Sequence, residues 1–321
     1  MRIAKERSNL NLKSFLNIKT PITSTIILFF TLSLVLLPGL SFSNNPIPIK
    51  IRFLHAIDAK ASGYPVASAT AIAIDSDNGE LFMLDSVNKR VVITDLEGIF
   101  NYEFSFTKAG LVDPKNFMVS PDGKLYFIDS GKVVITDYDG TFIKQMDLSV
   151  VPKADRVTIQ SVAITSKYIY LGEALEDRVL VFDVNTLQFI TEYSVPTMNV
   201  RVAADDKNIF ILDPASFAVL ILDNKGNQIG QFGRVSGLAG GFSMPVSIAI
   251  DSLNDRVVVV DINRAAVIYF DREGNFLYEF GGDNLLYKPT SSVIDNKGRV
   301  YVADRGRGGG VSVFSIYEED I

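Results

Sequence analysis

One interval runs through this chain from residue 70 onward. TAIAIDSDNGELFMLDSVNKRVVITDLEG occupies residues 70–98, and VSIAIDSLNDRVVVVDINRAAVIYFDREG returns at residues 246–274. In each, an apolar run closes on Asp, a polar turn follows, and a second apolar run closes on Asp. A third run then leads through Asp to a Glu-Gly turn. Altered copies stand at 116–140, 161–186, 199–226 and 291–315. An acid ends the second run in all six: Asp85, Asp129, Glu173, Asp213, Asp261 and Asp304, spaced 44, 44, 40, 48 and 43 residues apart. A unit recurring at such an interval cannot bury its apolar faces alone and must stack on its neighbours.

The runs are short and rich in β-branched and aromatic side chains, as strands are. No window within the repeats sustains a helical apolar stripe. The first five copies carry a fourth run after the turn: IFNYEFSF, TFIKQMDL, QFITEYSV, QIGQF and FLYEF. Four antiparallel strands in about 40–45 residues make a propeller blade. The fold class is therefore all-β, a six-bladed β-propeller with four-stranded antiparallel blades. The sixth copy has no fourth run of its own, but PIKIRFLHAI, residues 48–57, precedes the first copy. Set beside VSVFS at 311–315, it completes the last blade and leaves no open edge at the seam.

Residues 44–321 are thus read as a single propeller domain, and residues 1–43 as something else. Arg2, Lys5, Arg7, Lys13 and Lys19 face one acid, Glu6, and the following ITSTIILFFTLSLVLLPGL at 22–40 has no charge. That order describes an export signal, with Ser41 and Ser43 before a cut that leaves Asn44. The rival is an uncleaved membrane anchor, since 19 apolar residues span about 28 Å as a helix. Pro38-Gly39 shortens that helix and favours cleavage. Either outcome predicts an extracytoplasmic protein, periplasmic or secreted, or else anchored with the propeller outside. Membrane contact is expected only through residues 20–40, and only if the signal stays.

Composition removes several functions. Without residues 1–43 the formal charge moves from −6 to −10, so nucleic acid is not an expected partner. There is no cysteine, hence no disulfide or lipidated cysteine, and no tryptophan for a sugar platform. His55 is the single histidine, which excludes a multi-histidine zinc site and leaves it a buried or edge-strand role. No serine stands in a G-x-S-x-G elbow. No other cofactor is expected; calcium stays possible because oxygen ligands suffice for it, though no EF-hand spacing occurs.

DNKGRVYVADRG at 295–306 and VIYFDREGNFLYEFGG at 267–282 are the best copies of a pattern that resembles the NHL-repeat propellers. The resemblance covers roughly residues 49–316. The third copy departs from it with Gly172-Glu173, and the family's Asn-x-Arg survives best as Asn88-Lys89-Arg90. The resemblance brings to mind NHL-like lyases that hold a metal with histidines, an arrangement this chain cannot reproduce. Sugar-lactone hydrolases and strictosidine-synthase-like proteins share the ring, but their catalytic residues find no clear match here.

The repeated acids recur because the blades do, and they are expected to accept turn N–H bonds and fix hairpins. Arg90 and Arg178 are expected to pair with them or cross a blade surface. Function should instead sit where the blades differ. Arg201 in NVRVAAD replaces small or apolar residues of the other first strands. It is expected to pair with Asp205, Asp206 or a neighbouring blade, the alternative being contact with an acidic ligand at the channel mouth. DRGRGGGV at 304–311 offers Arg305 and Arg307 on a glycine-rich loop that lacks the rest of a phosphate-binding motif. The connections between blades gather on one face, and recognition belongs on such loops. Their candidates are Phe242, Leu285, Leu286 and Tyr287, with Arg156, Arg234 and Lys288.

The leading expectation is a recognition or assembly module for a protein, peptide or cell-envelope component. The alternative is a calcium-dependent hydrolase or lyase with its site over the central channel. Unlike polar groups converging on a channel pocket would favour the second; a broad apolar patch rimmed by cations would favour the first.

Overall fold

A computed structural model describes residues 49–58, 63–197, 199–282, 284–306 and 309–318. The segment read as signal or anchor lies outside them, as does Arg307. β1 (Ile49–Ile57) comes first. Blade 1 follows as β2 (Ala69–Asp75), β3 (Glu80–Asp85), β4 (Arg90–Asp95) and β5 (Phe100–Ser105). Blade 2 is β6 (Pro114–Val119), β7 (Leu125–Asp129), β8 (Lys132–Thr136) and β9 (Phe142–Gln145). Blade 3 is β10 (Ile159–Ile164), β11 (Tyr168–Glu173), β12 (Arg178–Asp183) and β13 (Phe189–Ser194). Blade 4 is β14 (Arg201–Ala204), β15 (Asn208–Asp213), β16 (Ala218–Asp223) and β17 (Gln228–Phe232). Blade 5 is β18 (Pro245–Asp251), β19 (Arg256–Asp261), β20 (Ala266–Asp271) and β21 (Phe276–Gly281). β22 (Pro289–Ile294), β23 (Val300–Asp304) and β24 (Val311–Glu318) begin blade 6.

Six four-stranded antiparallel sheets result, and the last has the order β1-β24-β23-β22. The N-terminal strand closes the ring. Phe53 lies opposite Phe314 across this junction, their rings edge to face with centroids 5.7 Å apart. The first strands of consecutive blades touch around the axis, and β22 touches β2.

Both faces of each blade are apolar because each faces a neighbour. Six hydrophobic clusters fill the six seams between blades. Between blades 1 and 2, Phe117 stacks on Phe127 at 5.2 Å and Phe104 meets Phe127 edge-on at 6.4 Å. Each such buried ring contributes about 1.5–3 kcal/mol. The fourth strands face solvent on one side, as the alternating burial of β13 shows. β9 is shorter than the run TFIKQMDL suggests. Met146, 2% exposed, leaves the edge to enter the seam with blade 3.

The turns between third and fourth strands are built by the second set of acids. Oδ1 of Asp95, Asp137, Asp223 and Asp271 accepts the N–H of the residue four positions on, at 2.7–2.8 Å. The intervening Gly98, Gly140, Gly226 and Gly274 have φ between +82° and +92°, a conformation that favours glycine. Among the described residues no helix is long and apolar enough to cross a membrane.

Candidate functional site

The strand-end acids are all buried, and they do more than fix a hairpin. Asp304 accepts the N–H groups of Tyr287 and Lys288 at 2.8 Å each, and that of Gly306 at 2.8 Å. Asp129 holds Val112 and Asp113 in the same way, and Asp261 holds Ser243 and Met244. One carboxylate thus ties the incoming connection to its own blade and sets where that blade's first strand starts. Glu173, one methylene longer, turns instead to Arg178. Arg90 bonds Asp85 at 3.3 Å, Glu103 at 2.5 Å and the carbonyl of Tyr64 at 3.0 Å. These arginines hold blades and loops together.

Just inside each fastened start, five blades carry a register shift, a β-bulge, between Ala69/Ala71, Pro114/Asn116, Ile159/Ser161, Pro245/Ser247 and Pro289/Ser291. Bulges re-aim side chains. Blade 4 begins its pairing without one, at Arg201 opposite Leu212. The residues opposite the one preceding each strand-end acid are therefore Ala71, Asn116, Ser161, Arg201, Ser247 and Ser291. All six line one cavity of about 220 Å³ at the axis, on the face that carries the blade connections. Lys115, Gln160, Thr70 and Thr290 complete its polar wall; no carboxylate lines it, and Asp113, outside the lining, pairs with Lys115 at 2.7 Å.

Arg201 is the odd member of this layer. Its Nη1 donates to Gln160 Oε1 at 3.1 Å, and Gln160 Nε2 donates to Asn199 Oδ1 at 3.0 Å. Burial pulls its pKa below the ordinary arginine value. No described carboxylate pairs with it: Asp205 is held by Arg272, and Asp206 by Ser166. Ser161 Oγ donates to Val200 O at 2.7 Å and accepts the Val202 N–H at 3.2 Å, fixing the backbone on both sides of Arg201. Gly172 makes room for this: a Cβ there would lie 2.4 Å from Ser161 Oγ and 2.8 Å from Val200 O. The Gly172 departure from the repeat thus belongs to the site.

Beneath the mouth, a second cavity of about 210 Å³ shares Asn116, Val202, Ser247, Ile248 and Ser291 with the first. Its other walls include Ile72, Ile74, Met118, Val162, Ile250 and Val293. The axial channel is polar at one end, and below it aliphatic side chains share the wall with Ser252 and Ser292.

The other expected site residues do not join Arg201. Phe242 is fully buried, edge-on to Phe270 at 5.7 Å, and is core rather than a partner-facing side chain. Leu286 is buried as well, against blades 5 and 6. Leu285 and Tyr287 are exposed, and Tyr287 Oη donates to Asn284 Oδ1 at 2.8 Å. Arg156 is exposed, 3.4 Å from Glu176. Arg305 and Arg234 are exposed on separate connections. The loop 233–245 is tied down by Arg264, which bonds the carbonyls of Leu238 and Gly241 and pairs with Glu279. His55 stands on β1, 4.0 Å from Glu97. Sequence reasoning missed Gln160, Asn116, Lys115 and the serines, whose shared place near the start of the first strands was the available signal.

No group of three or more His, Asp or Glu able to hold a metal occurs among the described residues. The lining of the channel mouth offers calcium amide and hydroxyl oxygens beside Arg201 and Lys115 and no carboxylate of its own, so these residues do not fit that ion.

Residues 199–298, about a third of the chain, match the DUF5128 family, described as a 6-bladed beta-propeller. The Drosophila melanogaster protein brain tumor is 29% identical over 92 residues, which are 27% of this chain and 9% of that protein. This chain therefore spans less than a tenth of that relative's length. Virginiamycin B lyase from Staphylococcus aureus superposes with a TM-score of 0.56 at 15% identity, covering 85% of this chain and 90% of that one. Streptogramin B lyase gives 0.52 at 12%, covering 84% and 98%. The WD40 propeller domain of Doa1 gives 0.54 at 12%, covering 76% and 78%. At these identities the likeness is one of fold: the chain is a six-bladed β-propeller, a ring that can serve as an interaction surface.

Proposed function

We propose that this propeller binds a small anionic ligand in the polar mouth of its central channel, with Arg201 meeting the negative charge. The observation that carries this is a half-buried guanidinium with one amide partner and no carboxylate, in a cavity walled by neutral donors and Lys115. A desolvated cation in a concave polar site favours an anion that restores its lost solvation. Burial of Phe242 and Leu286 takes the apolar centre out of a docking face on the connections, so weight moves to the channel.

A second reading, that the bound molecule is also transformed there, is supported by the shared ring of two lyases and by unlike polar groups converging over the axis. Lys115 and Arg201 are the ionisable groups lining this mouth, so a proton would have to pass through Lys115 or bound water. Kinship with NHL-repeat propellers is supported by the copies at 267–282 and 295–306 and by the partial Drosophila match. Export is supported by the basic start and the apolar segment 22–40; N-terminal sequencing of the mature protein tests it.

Calorimetric titration with carboxylates and phosphates tests the binding reading. Arg201→Gln should weaken binding by roughly tenfold to a hundredfold, the loss of about 1.5–3 kcal/mol for a charged hydrogen bond. Equal binding by this variant would remove the channel mouth from the function. Turnover of a bound compound, lost in the same variant, would establish the second reading.

A further inference from the structure

We infer that the channel holds one amphiphile lengthwise, an anionic head on Arg201 and a hydrocarbon tail in the chamber beneath. This rests on the proposed anion site at the mouth and specifies the rest of its ligand. The two cavities adjoin along the axis and share Asn116, Val202, Ser247, Ile248 and Ser291 in their walls. Below that level no ionisable side chain lines the wall, and Ile72, Ile74, Met118, Val162, Ile250 and Val293 share it with Ser252 and Ser292.

The chamber of about 210 Å³ has room for several waters. Ser252 and Ser292 are the polar side chains below that level, and displacing water from the aliphatic surface between them with methylenes is favourable. A sugar or a polar peptide would find only Ser252 and Ser292 as side-chain partners below that level and would leave most of its polar groups unpaired. The head belongs at the other end because Arg201 lies there and no described carboxylate pairs with it. Carboxylate and phosphate heads share the chemistry that Arg201 reads, and both are planned as arms of one experiment.

Straight-chain carboxylates and alkyl phosphates of increasing length, kept below their micelle concentrations, are titrated into the purified protein by calorimetry. Affinity should rise about fourfold per methylene, the equivalent of about 0.8 kcal/mol, until the chamber is filled. Arg201→Gln should weaken every length by one common factor. Ile250→Asn should flatten the dependence on length while short chains bind as before. The tighter of the two series identifies the head. Arg201-dependent binding with no dependence on length would overturn the tail and leave the anion site standing. A length dependence that Ile250→Asn leaves unaltered would place the tail elsewhere and overturn the proposal. Failure of the folded protein to bind any member would overturn both.

Discussion

Arg201 reaches across the seam between blades 3 and 4 to Gln160, its Nη1 donating to Oε1 at 3.1 Å. Two neighbouring first strands thus present one joined polar surface to the axis. Ser161 fastens the same seam a residue away, and Gly172 leaves it the space to do so.

That space yields a first expectation. Gly172→Ala would press a methyl on Ser161 Oγ and the Val200 carbonyl, both fixed, and cost about 1–3 kcal/mol as overpacking. Urea unfolding measures that loss. Anion affinity should fall with it, because the displaced backbone carries Arg201. A variant of unchanged stability and affinity would show that the seam yields easily.

The strand-end acids make a second. Asp261→Ala would orphan the N–H groups of Ser243, Met244 and Arg264, which it now accepts. The expected cost is at least about 2 kcal/mol in urea unfolding. Asp77→Ala, on an exposed turn, should stay within about 0.5 kcal/mol.

Phe242 and Leu285 separate packing from surface. Phe242→Ala should cost about 3–5 kcal/mol, since the ring is wholly buried against Phe270. Leu285→Ala, on the same face but exposed, should change stability by about 0.5 kcal/mol or less. Paired denaturant curves decide the matter.

A pH dependence follows from Asp205. Burial raises its pKa, but hydrogen bonds from Arg272, Asn208 and Lys207 outweigh it, and the group ends below 3.8. A carboxylate depressed on folding stabilises above its unfolded pKa, and that contribution is lost as pH falls through the folded value. Stability should therefore decline below about pH 4. Arg272→Ala, which removes the bridge from Asp205 to Asp255, should weaken that decline. Chemical denaturation between pH 3 and 6 measures both slopes; identical slopes would remove Arg272 from the cause.

The ring was legible in the sequence because its signals are local. Asp85 and its counterparts end strands, Gly98 and its counterparts turn them, and both recur at one interval. Closure by β1 followed from the missing fourth strand of blade 6. The site was less legible. Arg201 stood out by its residue type, but Gln160, Asn116 and Ser291 become neighbours only when six first strands meet at an axis. The burial of Phe242 depends on Phe270 of blade 5, and the tight loop before it on Arg264. Neither partner is marked in the loop itself. The extra reach of the strand-end acids, back to the incoming connection, likewise appears only once the blades are assembled.

The central claim is that the channel mouth, through Arg201, receives an anion. A crystal structure of the protein with a bound alkyl carboxylate tests it most directly. The expected density places the carboxylate within about 2.7–3.2 Å of the Arg201 guanidinium, with its chain running past Val162 and Ile250. A carboxylate bound on the connecting loops, with the channel left to water, would contradict it.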